Sequence, residues 1–149
     1  MREFFYSIIC FCLFTSFTFG EPVAELKCKS SSGRTLFEAV LPQLTYHESA
    51  LFQVDGKKLE FGVEDQGSVI FDKAAKVLTI YLRSKDNAKF VKFWALPSTF
   101  KQVSSEKRDG TSFKDVYNFR AKIIASEPRQ GKSNLTPETE LDCVLEFEL

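Results

Sequence analysis

The side chains best suited to chemistry in this 149-residue chain are one histidine and a scatter of carboxylates. His47 stands in Leu44-Thr45-Tyr46-His47-Glu48-Ser49, beside an acid and a hydroxyl. A nucleophile triad needs a histidine that an acid orients and that reaches a serine or cysteine. Adjacent residues rarely face one another, and the chain contains no Gly-x-Ser-x-Gly turn. The expectation is therefore an exposed loop histidine. Metal ligation at His47 would need carboxylates brought from elsewhere, so no metal and no cofactor are expected.

A carboxylate pair for glycoside hydrolysis needs no histidine. The candidates are Glu60, Glu64 and Asp65 in one hairpin, and Glu140, Asp142, Glu146 and Glu148 near the end of the chain. Spacing of two in a strand puts successive acids about 7 Å apart on one face. Leu141, Cys143, Leu145 and Phe147 alternate with them, however, which is the pattern of a solvated face whose acids pair with Lys and Arg of a neighbouring strand. The reading is not an enzyme.

Lys85, Lys89 and Lys92 flank Phe93 and Trp94, and lysines interleaved with aromatics resemble a single-stranded nucleic-acid site. Twenty basic against twenty acidic residues leave no net charge, which argues against nucleic acid. Trp94, the chain's single tryptophan, is a candidate contact residue together with Phe93 and Phe100, because aromatics concentrate at interface hot spots. Gly131-Lys132-Ser133 lacks the upstream glycine of a phosphate-binding loop. Asn134-Leu135-Thr136 has the form of a glycosylation acceptor, weakened by Pro137.

The beginning of the chain reads as a secretory leader. Met1 and Arg2 open it, Phe4 to Phe19 are mostly apolar, and Thr18-Phe19-Gly20 offers small residues where a signal peptidase reads. Cleavage after Gly20 is expected, removing Cys10 and Cys12 and leaving residues 21–149 as one β domain. The apolar stretch falls short of the ~20 residues that span a bilayer, so no stable membrane span is expected after processing. Cys28 and Cys143 remain, in a chain bound for an oxidising compartment, secreted or periplasmic. With two thiols there is one pairing. A reactive thiol would need a neighbour that lowers its pKa, whereas Cys143 alternates with Leu141 and Leu145 and points inward. A structural disulfide is expected, stabilising the fold by roughly 4 kcal/mol and setting the first and last strands side by side.

Period-two alternation recurs throughout, and no stretch keeps a helical period. Ala24, Leu26 and Cys28 share a face of the first strand; Thr35 to Leu41 is the second. Asp55-Gly56 separates two alternating runs as a type I′ turn would, which pairs Val54 with Lys57, Phe52 with Leu59 and Ala50 with Phe61. Val69 to Asp72, Val77 to Arg83 and Lys89 to Leu96 follow. The last two are apolar on both faces for much of their length, as strands in mid-sheet covered from two sides would be. Ser104 to Ser112 reads as a loop around Asp109-Gly110, Phe113 to Ala125 as a strand, Ser126 to Thr139 as a long exposed connection, and Glu140 to Leu149 as the final strand. About eight strands with clamped ends predict an all-β fold, an antiparallel β-sandwich or small β-barrel.

Cys28, Cys143 and Asp55-Gly56 together give a layout that resembles the small periplasmic lysozyme inhibitors, eight-stranded barrels with an early and a late cysteine joined and an Asp-Gly hairpin in the first half. The resemblance implies a barrel. That family's inhibitory loop carries a Ser-Gly-x-x-Tyr type motif; here Glu64-Asp65-Gln66-Gly67-Ser68 follows Val63 with no tyrosine, so the resemblance supplies no site residues. The function expected is an exported, non-catalytic binding protein whose partner is a macromolecule or a small apolar ligand. The alternative is a structural or accessory envelope component that offers an edge strand or the Trp94 region.

Overall fold

The computed structural model describes residues 22–108, 112–129 and 132–148. The expected leader with Cys10 and Cys12, the Asp109-Gly110 pair and Gly131 lie outside them. Within them the chain forms β1 (Val23–Lys29), β2 (Thr35–Pro42), β3 (Ser49–Val54), β4 (Lys57–Phe61), β5 (Gln66–Asp72), β6 (Val77–Arg83), β7 (Phe90–Ala95), β8 (Lys101–Lys107), β9 (Phe113–Arg129), β10 (Lys132–Leu135) and β11 (Thr139–Glu148). A 3₁₀ turn, Pro97–Thr99, separates β7 from β8. No α-helix occurs among the described residues, and none of their segments is a helix long and apolar enough to cross a membrane.

All pairings are antiparallel, in the order β4-β3-β2-β1-β11-β9-β7-β6-β5, with β8 and β10 also paired to β9. The sheet curls into a half-barrel. Two meanders make it, β1 to β4 and β5 to β9, and β11 returns between β1 and β9 to join them. Strand alternation turns one set of side chains inward: Leu26, Phe37, Phe52, Ile80, Leu82, Phe93, Ile123, Leu141 and Leu145 are all at most 1% exposed. Aromatic rings fill this interior. Phe37 meets Phe93 at 5.2 Å between centroids, and Phe100 stacks on Phe119 at 4.6 Å.

The expected disulfide is present. Cys28 and Cys143 are direct cross-strand partners in the β1–β11 register, with Cα atoms 4.1 Å apart and their sulfurs bonded. The Asp-Gly hairpin also has the register that its turn chemistry dictates: Val54 opposite Lys57, Phe52 opposite Leu59, Ala50 opposite Phe61. Asp55 and Gly56 both adopt positive φ, 49° and 80°, as a type I′ turn requires.

Three local expectations are corrected. The supposed loop from Ser104 lies partly in β8, which pairs with the first half of β9. Nearly every β8 residue is exposed, so the strand has no covered face to print an alternating pattern. The supposed connection after Ser126 continues β9 to Arg129 and returns as β10, a hairpin held by backbone pairing. Strands β6 and β7 are interior to the strand order, as expected, but are covered on one side alone. Leu78, Ile80 and Leu82, with Val91, Phe93 and Ala95, are buried, whereas Tyr81 and Lys92 are exposed and Thr79, Phe90 and Trp94 half-buried.

The bridge closes a loop of 115 residues, which the chain-entropy model values at about 4 to 5 kcal/mol. Cys143→Ser is therefore expected to lower the melting temperature by more than about 10 °C in non-reducing buffer. Thermal melts followed by circular dichroism check this; an unchanged midpoint would show that the bridge carries no load.

Candidate functional site

Curling of the sheet leaves its outer face to carry polar chemistry. Side chains that alternate with the core residues of β2, β1, β11 and β9 form rows across the strands. Glu38, Lys27, Val144 and Asn118 make one row; Leu36, Lys29, Asp142 and Arg120 make the next. Where the chain leaves β7, the Pro97–Thr99 turn closes on β9: Thr99 Oγ1 accepts from the Arg120 amide at 2.8 Å, and the Leu96 amide donates to the Arg120 carbonyl at 2.7 Å. Ser98, Thr99 and Lys101 thereby wall a depression of about 750 Å³ whose floor lies over the disulfide. Leu36 and Val144 give this floor an apolar patch.

The charges around the depression divide into two kinds. Lys27 pairs with Glu25 at 2.9 Å and Arg120 with Glu140 at 2.6 Å. Lys29, Lys101, Glu38 and Asp142 have no ion pair among the described residues, and they face a common space. Further along, Lys114 pairs with Glu146 at 2.6 Å and with Glu148 at 3.7 Å, and this lysine holds the Glu146 carboxyl below the ordinary range. The acid stripe of β11 thus pairs with β9 cations, as its alternation implied. Asp142 is its exception.

Of the hairpin acids, Asp65 is engaged in turn geometry. Asp65 accepts the Gly62 amide and the Lys85 amide, both at 2.9 Å. Among the described residues no group of three or more His, Cys, Asp and Glu side chains is placed to hold a metal ion.

His47 is not an exposed loop residue; it is 5% exposed. Its Nε2 donates to the Gly62 carbonyl at 2.9 Å. On its other side the ring lies against Gly67, where an added Cβ would sit 2.1 Å from Nδ1. The imidazole therefore takes the place of a side chain at position 67 and packs between the end of β4 and the start of β5, the two ends of the strand order. A lone histidine in a loop gives no sign of this, because the signal is the glycine it packs on, 20 positions later.

A second polar cluster also escaped the sequence. Asp115, 8% exposed, accepts from Tyr117 Oη at 3.0 Å, Gln102 Nε2 at 2.8 Å and Lys73 Nζ at 3.3 Å. Burial pushes the Asp115 carboxyl up, but hydrogen bonds from Ser105, Tyr117 and Lys73, with the lysine's charge, outweigh it, so the group sits below the ordinary aspartate value of 3.8. Burial raises the Tyr117 phenol against the opposing pull of Lys73. The cluster ties the β5–β6 turn to β8 and β9. Asp115 lies on the inward parity of its strand, which a lone acid among Phe113, Tyr117 and Phe119 could have suggested.

The contact candidates separate. Phe93 and Phe100 are core residues, 0% and 4% exposed, because inward parity on β7 and the 3₁₀ turn direct both rings to the interior. Trp94 has the opposite parity and lies half-buried on the outer face, with Lys92 Nζ 5.5 Å from its ring centroid. Comparison of the chain with protein-family models, with curated proteins and with solved structures finds no match.

Two substitutions test this geometry. Gly67→Ala is expected to cost about 1–3 kcal/mol through overpacking, and much less in a His47→Ala background where the ring is gone; equal costs in denaturant melts would contradict the contact. Asp115→Asn is expected to cost roughly 1–3 kcal/mol at neutral pH. Because the folded pKa is lowered, the wild-type contribution is complete above the unfolded value and is lost as pH falls through the folded one. Stability measured from pH 6 to pH 2 should therefore fall less steeply for Asp115→Asn than for wild type.

Proposed function

We propose that this chain is a non-catalytic binding domain that works outside the cytoplasm and recognises a macromolecular partner across the outer face of its sheet. The observation that carries this reading is the contrast between the two faces. The inner face is packed with interlocking aromatic rings, whereas the outer face holds the walled depression over the disulfide. A domain that carries a small apolar ligand keeps an enclosed apolar space for it. Here the largest of the described depressions is open and polar-rimmed, a shape suited to part of a larger molecule.

Export is supported by the leader-like N-terminal sequence and by a disulfide, which persists in oxidising compartments. The non-catalytic reading is supported by the ion pairs that occupy Glu140, Glu146 and Glu148 of β11, by the turn hydrogen bonds that occupy Asp65 and by the structural contacts that occupy His47. The accessory alternative, strand addition at an edge, finds its support in β5, where Ile70 is 57% exposed and one side of the strand has no backbone-paired strand among the described residues.

The disulfide-intact domain, used as bait in its native extracellular or envelope fraction, is expected to capture a macromolecule whose retention falls at least tenfold when Lys29 and Lys101 are both changed to glutamate. A stoichiometric apolar small molecule found with the purified domain by mass spectrometry, with no such capture, would overturn the proposal.

A further inference from the structure

The outer face of β6 and β7 differs from the charged rows beside it. Its side chains are Val77, Thr79, Tyr81 and Arg83 on β6, and Phe90, Lys92 and Trp94 on β7, which is three aromatics, two cations and no acid. Register sets Tyr81 beside Lys92, Thr79 beside Trp94 and Arg83 beside Phe90. The Tyr81 and Phe90 rings lie within 25° of parallel with centroids 6.3 Å apart. Tyr81 is 40% exposed and Phe90 half-buried. Along β7 the order Phe90, Lys92, Trp94 places a lysine between two aromatic residues, with steps of about 7 Å and its ammonium 5.5 Å from the Trp94 ring centroid. Neither Arg83 nor Lys92 has an ion pair among the described residues. This strip accounts for the apolar run on both faces of β6 and β7 that two-sided burial does not explain.

We infer that this strip is a binding site for a polysaccharide that carries carboxylates at intervals. The electron-rich face of an aromatic ring attracts the C–H face of a sugar ring, whose hydrogens are weakly positive. Lys92 and Arg83 supply the complementary charge, and Lys92 is free to turn from Trp94 to a carboxylate because a surface cation–π contact is weak. Thr79 and Ser68 add hydroxyl partners at the margin.

The occupant follows from what the strip lacks. A membrane surface takes apolar groups that enter it by several ångströms. Here the turns that flank the strip are charged, Asp72-Lys73-Ala74-Ala75-Lys76 and Ser84-Lys85-Asp86-Asn87-Ala88, and Phe90 and Trp94 are half-buried. Single-stranded nucleic acid needs a continuous basic groove to follow its backbone. The strip's two cations are separated by rings, and its flanking turns mix Lys73, Lys76 and Lys85 with Asp72 and Asp86, so they do not make one. A polymer of low charge density with broad ring faces fits both the aromatics and the sparse cations.

Trp94 is the sole tryptophan, so its fluorescence reports the site directly. Hyaluronan oligosaccharides, which bear a carboxylate on every second sugar, serve as the probe, with their methyl esters, anionic phosphatidylglycerol vesicles and a thymidine oligonucleotide as comparisons. Saturable change in Trp94 emission is expected with the acid form, at least tenfold weaker with the methyl ester, with Lys92→Glu and with Tyr81→Ala, in variants whose melting temperatures match wild type. Absence of any response to the acid form, equal binding of the ester, or preference for vesicles or oligonucleotide would overturn the inference. Native-partner capture that depends on Lys29 and Lys101 but survives Lys92→Glu would leave the reading of the depression in place while that spectroscopic result decides the strip.

Discussion

The pairing of β1 with β11, locked by Cys28 and Cys143, is the constraint on which the rest of this fold depends. In the strand order the first meander and the second meet at this junction alone, and its two strands come from opposite ends of the folded chain. Closing so long a loop costs conformational entropy before any contact repays it. A covalent link at the junction reduces the freedom that the unfolded chain would otherwise regain. It also fixes the register of two strands whose one-residue slip would turn Leu26, Leu141 and Leu145 out to solvent. The depression lies over the same link, so stability and the candidate binding surface share one anchor.

The sheet then separates its tasks by parity. Inward residues make a core of aliphatic and aromatic side chains, and outward residues divide into charged rows on β2, β1, β11 and β9 and the aromatic strip on β6 and β7. The opposite fates of Phe93 and Trp94 show how sharply adjacent positions are assigned. His47 packs over Gly67 between the two ends of the strand order, and Lys73 ties the β5–β6 turn to Asp115 of β9.

Much of this was legible because half-burial writes a period of two into the sequence. The β1, β2, β3–β4, β9 and β11 segments alternate cleanly, the Asp55-Gly56 turn has its own chemistry, and Cys28 and Cys143 lie on the inward parity of the first and last strands. What stayed hidden lacked such a signal. The exposed β8 has pairing without a covered face, so its sequence looks like a loop, and β10 is held by backbone pairing with β9. The both-sided apolarity of β6 and β7 was real, yet its reason was an outer aromatic surface and not a second covering layer. His47 and Asp115 owe their environments to residues 20 and 42 positions away, which no local pattern can join.

Hydrogen exchange of the backbone amides, compared in oxidised and fully reduced protein at neutral pH, tests the role of the junction most directly. If the sulfur link holds the two meanders together, reduction should speed exchange in β1 and β11 and raise it by a common factor in the core strands of both meanders, since all would then open through the same global event. Unchanged protection in β1 and β11 after reduction, or faster exchange confined to the residues next to the two cysteines, would contradict it.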